Sequence, residues 1–533
     1  MTQLGLTRAP TDLIVDTTEG PVQGSFLTGY TTAGSANSAS SSHRSIARWQ
    51  AIPYRAEPIS VADRFSPPAP APEHRDVLHA DLDRMGSRAT LSITAPAPGS
   101  ACDKSAARLP VIIFIHGGRY ESSHGDSAWY RGDSFATSGC VLVSVNYRYR
   151  FDGFLPLEGE DVPADHPSAT GGDATTHPYF RGAEDILFAL RWINRNIGAF
   201  GGDAENVTLM GQSAGGGLVA WTLADPRAAD LIHRAVILSP AFPRVGWPHR
   251  RRTAQLLLGG RLNFDRVSSL THDKVDRAYR LFSRRFPSDC AVGVFPFHPE
   301  KMAPVPLLVS TMRDEFVGLG PAHVIDRARS HRNPLRRVAG NMLTRLASLK
   351  IGAPEAGTWR EWMNYADREP PGAPMGRAVS DSAIRRWAMA ALEARSSSPD
   401  TWACEFAGGE GERDERILAQ HCADLPLAFH CVELSGLDDN GQGKAVAPEV
   451  LSRLTPVAHR FHSVIVDFAH GKAPNWTPYD PHGRRVSKVF SLRGGRSSGE
   501  CLEWDEEDPL GEVRRFFPRP YTRPYARRIF ANY

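Results

Sequence analysis

Short runs of apolar residues recur through the middle of the chain and determine the fold that we predict. Five runs, each rich in β-branched residues and bounded by Gly, Asn or Pro, occupy residues 109–115, 141–145, 207–210, 235–238 and 305–309. Such short, continuous apolar runs favour strands that are buried on both faces, as in a parallel sheet.

Helical periodicity appears between these runs. Residues 184–196 (EDILFALRWINRN) bring Ile186, Leu187, Leu190 and Ile193 onto one stripe of a helix. Alternating strands and helices predict an α/β fold with a doubly wound, mostly parallel sheet. The strand signal fades over about 244–300 and 316–425. We predict that these two stretches are helical insertions over the carboxyl ends of the strands, where such sheets bind ligands.

The composition is that of an ordinary globular protein and narrows the choice of partners. Lys and Arg number 62 against 59 Asp and Glu, a formal charge of +3. This balance argues against a protein that mainly neutralises phosphates, so we expect no nucleic-acid partner. No run of about 18 apolar residues predicts a membrane span. Seven scattered cysteines and no recognisable signal peptide favour reduced thiols and a cytoplasmic location.

We predict one main domain over residues 20–492, with an N-terminal segment at 1–19 and a tail at 493–533. The polar stretch at 31–42 (TTAGSANSASSS) predicts a flexible surface insertion. The tail is acidic over 500–512 and carries six arginines among aromatic residues over 514–528. Charge runs usually form solvated faces, so we expect these arginines to pair with the acidic run rather than with an anionic partner.

A candidate nucleophile follows the apolar run at 207–210. Residues 211–215 (GQSAG) have the form G-x-S-x-G and precede a helix-compatible segment. Strand, tight turn and helix together are the context of a nucleophile elbow, in which the Ser213 oxygen stands above the sheet. The following helix N-terminus would favour developing negative charge.

A candidate oxyanion loop follows the run at 109–115. His116, Gly117 and Gly118 end that predicted strand, and glycines allow backbone N–H groups to approach a substrate oxygen. We predict that the oxyanion donors are the N–H groups of Gly118, Arg119 and Ala214, and that His116 is structural.

At this point the chain resembles the type-B carboxylesterase family, which includes the cholinesterases and bacterial para-nitrobenzyl esterases. The resemblance rests on VIIFIHGG at 111–118, VNYR at 145–148, HRAVILSPA at 233–241 and, above all, LRWINRNIGAFGGDAENVTLMGQSAGG at 190–216. It implies the α/β-hydrolase fold and hydrolysis of carboxylic esters without a metal or an organic cofactor.

The resemblance also implies a catalytic triad in the order Ser, Glu, His. The family's acid corresponds to Glu315 in PLLVSTMRDEF at 306–316, with Asp314 as the alternate. The family's histidine precedes two residues, an acidic residue and Leu, a pattern that we match to His430 in HCVEL, with His421 as the competitor. In such a triad the histidine takes the serine proton and the carboxylate orients the imidazole.

Two positions depart from the family pattern. Gln212 replaces the glutamate that usually precedes the nucleophile, and Arg119 replaces a small residue in the oxyanion loop. We hypothesise that the Arg119 side chain enters the active-site gorge and favours an anionic ester.

The sequence therefore predicts a serine carboxylesterase with a small-molecule ester substrate, a catalytic triad of Ser213, Glu315 and His430, and no cofactor. Amidase, lactonase or acyltransferase chemistry on the same triad is the first alternative, and a non-catalytic, hydrolase-like binding protein is the second. The His-Cys pairs at 421–422 and 430–431 lack the short spacing of a zinc site, so we predict no metal. The sequence leaves the oligomeric state open.

Overall fold

The computed structural model describes residues 13–27, 46–80, 86–98, 108–169, 178–244, 246–351, 359–395, 400–410, 416–435, 445–493 and 501–517. The insertion predicted at 31–42 lies outside these residues, as do the first twelve residues and the part of the tail beyond 517.

The strands follow the apolar runs closely and extend some of them. In chain order they are β1 (Ile14–Thr17), β2 (Gly20–Gln23), β3 (Ser25–Leu27), β4 (Ile46–Pro53), β5 (Leu78–His79), β6 (Thr90–Pro96), β7 (Leu109–Ile115), β8 (Val141–Val145), β9 (Gly202–Gln212), β10 (Arg234–Leu238), β11 (Leu307–Met312), β12 (Thr401–Ala407), β13 (Gly409–Glu410), β14 (Arg416–Ile417), β15 (Val486–Ser491) and β16 (Glu503–Glu507).

One large sheet has the order β16-β15-β12-β11-β10-β9-β7-β8-β6-β4-β3. Its strands are parallel from β8 across to β15 and antiparallel at both margins. The chain passes from β7 to β8 on one side and then returns to β9 on the other side of β7. Ligands of such sheets bind at the carboxyl ends of the strands near this kind of reversal.

Helices cover both faces of the sheet. They are α1 (Val61–Phe65), α2 (Asp133–Thr137), α3 (Arg150–Phe154), α4 (Arg181–Asn196), α5 (Ala214–Leu223), α6 (Arg251–Leu258), α7 (Phe264–Ser268), α8 (His272–Ser283), α9 (Gly320–Arg329), α10 (Pro334–Ile351), α11 (Trp359–Arg368), α12 (Pro374–Ser380), α13 (Arg386–Glu393), α14 (Leu425–Ala428), α15 (Pro448–Ala469) and α16 (Gly511–Phe516).

Successive side chains of the central strands enter two different cores. On β7, Ile113 packs into the core that contains α4, α5 and α13, whereas Ile112 packs into the core that contains α15. Burial on both faces explains why these strands are continuously apolar in sequence. The predicted doubly wound α/β sheet is therefore present.

Two predicted boundaries differ from the structure. The stretch 316–425 contains β12, which lies in the sheet between β11 and β15, so it is not wholly a helical insertion. Glu405 breaks the apolar pattern of β12 and hides the strand in the sequence. Beyond 492, β16 pairs antiparallel with β15 as the edge strand of the sheet, so residues 503–507 belong to the main sheet.

Glu405 is tolerated inside the sheet because two arginines surround its carboxylate. One oxygen, Oε2, accepts hydrogen bonds from Arg313 Nε at 2.9 Å and Nη2 at 2.6 Å. The other, Oε1, accepts from Arg385 Nη2 at 2.8 Å. Both Glu405 and Arg385 are almost fully buried. The cluster ties the helical layer above the sheet to the middle of β12.

We expect Glu405→Gln to lower the free energy of unfolding by about 3 kcal/mol, because two guanidinium groups lose the buried anion that they share. Arg385 then keeps only Asp381 as an anionic partner, and Arg313 keeps only Glu506. Urea denaturation followed by far-ultraviolet circular dichroism measures the change. The matched control is Glu507→Gln on exposed β16, where the Arg484 partner is 3.9 Å away and both side chains face solvent. That variant should unfold like the wild type, and an equal loss in both would contradict the expectation.

Candidate active site

Ser213 stands at the sharp turn between β9 and α5. Its backbone has φ 57° and ψ −121°, a conformation that L-residues rarely adopt. The turn is held from both sides, because Ser213 N donates to Leu238 O and Ala241 N donates to Ser213 O, each at 2.9 Å. A strained residue fixed by its surroundings is typical of a functional position, and the turn has the geometry of the predicted elbow.

Small residues let the elbow pack tightly against the neighbouring strand. A Cβ at Gly215 would lie 2.0 Å from Ile115 O, the last carbonyl of β7. A Cβ at Gly117 would lie 3.1 Å from Ser213 Cβ. Side chains at these two positions would push the helix and the oxyanion loop away from the serine, which is the steric reason for both glycines.

The oxyanion loop runs beside the serine with its backbone in unusual conformations. Gly118 has φ +97° and Arg119 has φ +59°. Across the part of the chain that the structure describes, the N–H groups of Gly118, Arg119 and Ala214 have no protein acceptor. An oxyanion requires fixed hydrogen-bond donors of this kind, which lie beside the serine and have no other acceptor.

A histidine joins the serine to a buried carboxylate. His421 Nε2 lies 2.8 Å from Ser213 Oγ, and His421 Nδ1 lies 2.5 Å from Glu315 Oε2. With the proton on Nδ1, the imidazole donates to the carboxylate and can accept the serine proton at Nε2. The backbone supports this placement, since His421 N donates to Glu315 O at 2.8 Å.

The prediction that His430 occupies this position is not met by the structure. After His421 the chain forms α14 and descends into the core, where the Phe429 ring packs 4.9 Å from the Phe114 ring. His430 then lies against His459 and His462, with ring centroids 5.9 and 5.7 Å apart. We call the hydrogen-bonded chain of Ser213, histidine and Glu315 the relay. Its histidine is thus the competitor, His421.

The local pattern does not distinguish these two histidines. His421 precedes Cys-Ala-Asp424-Leu, and His430 precedes Cys-Val-Glu433-Leu. Both fit a histidine followed by two residues, an acid and Leu. Which histidine contacts Ser213 depends on which one lies near the ends of β9 and β11. The path of the chain in the folded protein decides this.

Glu315 was expected to hold the histidine, and the structure brings it to that position. Its side chain is fully buried just after β11. Ser239 Oγ donates to Glu315 Oε1 at 2.7 Å and Met312 N donates to the same oxygen at 2.9 Å. These bonds leave Oε2 for the imidazole. The alternate, Asp314, instead accepts from Arg377 Nη2 at 3.1 Å.

The electrostatic surroundings of His421 favour its cation. Burial alone would favour the neutral imidazole, but Cys422 and Glu315 outweigh burial and raise the pKa of His421 well above its usual value. Nearby, burial and the Glu315 charge raise the pKa of Asp424 to about 7, while His421 acts in the opposite direction. Of these two carboxylates, Glu315 is the one that contacts His421 Nδ1, and its negative charge stabilises the imidazolium.

Contacts on either side of the relay connect the elbow to the histidine loop. The Gln212 Nε2 and Cys422 Sγ atoms are 3.5 Å apart, so the residue before the serine touches the residue after the histidine. The Phe316 ring covers the imidazole of His421 at 5.0 Å between centroids. Gln212, the departure from the family pattern, therefore contacts the residue that follows His421.

Arg119 does not extend freely into the site as hypothesised. Its Nη2 donates to Phe286 O at 3.0 Å and to Asp289 O at 2.7 Å. Both carbonyls lie in the turn after α8. The side chain therefore braces the oxyanion loop against the first insertion, and this gives no support to its binding an anionic ester.

In the ranges that the structure covers, no three His, Cys, Asp or Glu side chains are grouped so as to hold a metal ion. In the same ranges, no helix is long and apolar enough to cross a membrane.

Comparison with known proteins agrees with this geometry. A model of the carboxylesterase family matches residues 89–257, which include both the oxyanion loop and the elbow. Para-nitrobenzyl esterase of Bacillus subtilis (strain 168) is 25% identical over 507 residues, covering 84% of this chain and 95% of that protein. Fumonisin B1 esterase of Sphingopyxis macrogoltabida is 26% identical over 495 residues, covering 85% and 84%.

Among solved structures, a carboxylesterase of Geobacillus stearothermophilus aligns over 94% of this chain and 99% of its own. Its TM-score is 0.68 and its sequence identity is 22%. The fold is therefore the α/β-hydrolase fold, as predicted. The family match and the curated relatives confirm the resemblance to the carboxylesterase family, and with it the prediction of a carboxylic ester hydrolase.

The two histidines can be separated by mutation. We expect His421→Ala to lower kcat for a 4-nitrophenyl ester by about 10⁴-fold or more, because the serine loses its base. His430→Ala should retain activity within about threefold, since its ring packs against those of His459 and His462, away from Ser213 and Glu315. Initial rates with purified, folded variants measure both. Loss of activity in His430→Ala alone would reverse the assignment.

The relay also predicts a direction in the pH profile. Because Cys422 and Glu315 outweigh burial and raise the pKa of His421, the neutral base forms only at a pH above the ordinary histidine value of about 6.5. We expect the acid limb of kcat/KM to lie above that value. In Glu315→Gln the anion is gone, so the pKa of the imidazole falls and the limb should move to lower pH along with a loss of kcat. An unshifted limb would show that another group controls it.

Proposed function

We propose that this protein hydrolyses carboxylic esters through an acyl-enzyme intermediate, with Ser213 as nucleophile, His421 as base and then acid, and Glu315 as the carboxylate that orients His421. The single observation that carries the proposal is the continuous hydrogen-bonded path from Ser213 Oγ through the imidazole to the Glu315 carboxylate, with distances of 2.8 and 2.5 Å.

In the first half of the reaction, His421 Nε2 takes the proton of Ser213 as Oγ attacks the ester carbonyl. The carbonyl oxygen becomes an oxyanion, for which we propose the N–H groups of Gly118, Arg119 and Ala214 as donors. The imidazolium is stabilised by Glu315 and returns its proton to the departing alcohol. The ester bond breaks and an acyl-serine ester remains.

In the second half, water takes the place of the alcohol. His421 removes a proton from the water as its oxygen attacks the acyl carbon, and the oxyanion forms again at the same donors. The proton then passes to Ser213 Oγ, so the acid is released and the free serine is restored. No redox step or metal is involved in this sequence.

The carboxylesterase family match supports a small-molecule ester substrate, and the names of individual relatives describe what those proteins hydrolyse. A cytoplasmic location remains a prediction. It is consistent with the cysteines of the described residues, which are all free thiols.

The proposal predicts that activity and covalent labelling depend on one hydroxyl. A panel of 4-nitrophenyl esters of increasing acyl length should be hydrolysed by the wild type and not by Ser213→Ala, with kcat lower by about 10⁴-fold or more. A fluorophosphonate should label the wild type only. Labelling at another serine, or activity that survives in Ser213→Ala, would refute the proposed nucleophile.

A partitioning experiment distinguishes hydrolysis from other acyl transfer. An acyl-enzyme formed in a single turnover should partition almost entirely to water when a competing alcohol or amine is added. Preferential transfer to the added nucleophile would indicate an acyltransferase instead.

A further inference from the structure

Helix α10 exposes its apolar residues to solvent. The exposed fractions are 78% for Leu335, 66% for Val338, 64% for Met342, 48% for Leu343 and 53% for Leu346. Large apolar side chains exposed singly are ordinary, but a cluster of this kind on one helix usually marks an interaction site. We call these five residues the α10 apolar face.

The residues that α10 buries are small. Gly340, Thr344 and Ser348 recur at every fourth position and are buried against the protein. The contact with α9 is close, since a Cβ at Gly340 would lie 2.5 Å from Arg329 N. The ordinary arrangement of an amphipathic surface helix is therefore reversed: small residues face the protein and large apolar ones face outward.

Helical geometry shows how completely the two sides are separated. At about 100° per residue, the centre of the α10 apolar face lies roughly 180° around the helix from Thr344. The apolar face thus points directly away from the body of the protein. Val324 on α9 is also 67% exposed and adds to the apolar surface of this helix pair.

Exposed arginines surround this face. Within residues 320–351 the only carboxylate is that of Asp326, which is buried and accepts from two backbone N–H groups. Arg329 is neutralised by Asp367. Of the residues that the structure describes, no acidic side chain lies within 4 Å of the remaining exposed arginines, which are Arg327, Arg332, Arg336, Arg337 and Arg345.

From this combination we propose that α9 and α10 form a docking surface for an anionic lipid surface. Apolar side chains can enter the boundary between headgroups and acyl chains while arginines bind lipid phosphates beside them. Charge complementarity favours this occupant over a second copy of the chain, because paired α10 faces would bring like charges together. Neither helix is long and apolar enough to span a bilayer, so the pair would lie in the interface.

The position of these helices connects the proposed docking surface to the candidate active site. Helix α9 begins five residues after Glu315. The connecting segment is fixed to the histidine loop, since Gln420 Nε2 donates to Val317 O at 2.8 Å. A lipid surface bound to α9 and α10 would therefore be coupled to the segment that carries the relay. The docking itself does not depend on the proposed reaction.

Co-sedimentation of the full chain with vesicles tests the proposal. At low salt, we expect binding to phosphatidylcholine vesicles containing phosphatidylglycerol to be about tenfold or more stronger than to phosphatidylcholine alone. The variant Val338→Gln/Met342→Gln/Leu346→Gln should bind about tenfold or more weakly. The matched control is Leu256→Gln/Leu281→Gln, which changes exposed apolar residues on α6 and α8 and should bind like the wild type.

A second variant, Arg336→Gln/Arg337→Gln/Arg345→Gln, should lose the preference for the anionic vesicles. Hydrolysis of a soluble 4-nitrophenyl ester should be unchanged in all these variants, which shows that they fold, and Ser213→Ala should bind vesicles normally. Vesicle binding by a wild-type protein that hydrolyses no ester would support the docking surface while refuting the proposed function.

Three results would overturn the proposal. The first is wild-type protein that does not bind anionic vesicles at low salt. The second is binding that the arginine variant loses and the apolar variant keeps, which would indicate simple electrostatic adsorption. The third is a dimer in analytical ultracentrifugation that the apolar variant dissociates, which would make a second copy the occupant.

Discussion

The hydrogen bonds between Glu315, His421 and Ser213 are the constraint on which the rest of the site depends. They join three segments that are far apart in sequence, at the carboxyl edge of one parallel sheet. The buried carboxylate needs partners on both oxygens, since an unpaired charge in the interior is costly. Ser239 and the backbone satisfy one oxygen, and the imidazole satisfies the other. The network that we propose makes the serine reactive is therefore also the network that allows the glutamate to be buried.

The parallel sheet explains why these groups meet. β7, β9, β10 and β11 end at one edge of the sheet. There β7 is followed by the oxyanion loop, and the other three strands are followed by Ser213, Ser239 and Glu315. Close packing then fixes their spacing. The elbow helix approaches β7 so closely that only glycine fits at 215, and the oxyanion loop approaches the serine so closely that Gly117 has little room for a side chain.

The insertions contribute in different ways to what lies above this edge. The first supplies backbone carbonyls that bind the side chain of Arg119 and so steady the oxyanion loop. The second returns to the sheet at β12, where Glu405 is paired with Arg313 and Arg385. It also carries α10, whose small residues pack inward and whose large apolar residues remain outside. In the second insertion, the buried ion pairs of Glu405 stabilise the helical layer, whereas the large apolar residues of α10 form its exposed outer surface.

The sequence by itself determined the features that local chemistry specifies. The continuous apolar runs identify the buried strands of the parallel sheet, and G-x-S-x-G after a strand identifies Ser213, because both signals arise within a few neighbouring residues. A charged residue inside β12 hid that strand, since its partners Arg313 and Arg385 are distant in sequence. The choice between His421 and His430 was also beyond local information. Each begins the same short pattern, and only the descent of α14 into the core leaves one imidazole at the serine and carries the other away. The outward direction of the α10 apolar face likewise depends on which side of the helix packs against α9, a contact that only the tertiary structure decides.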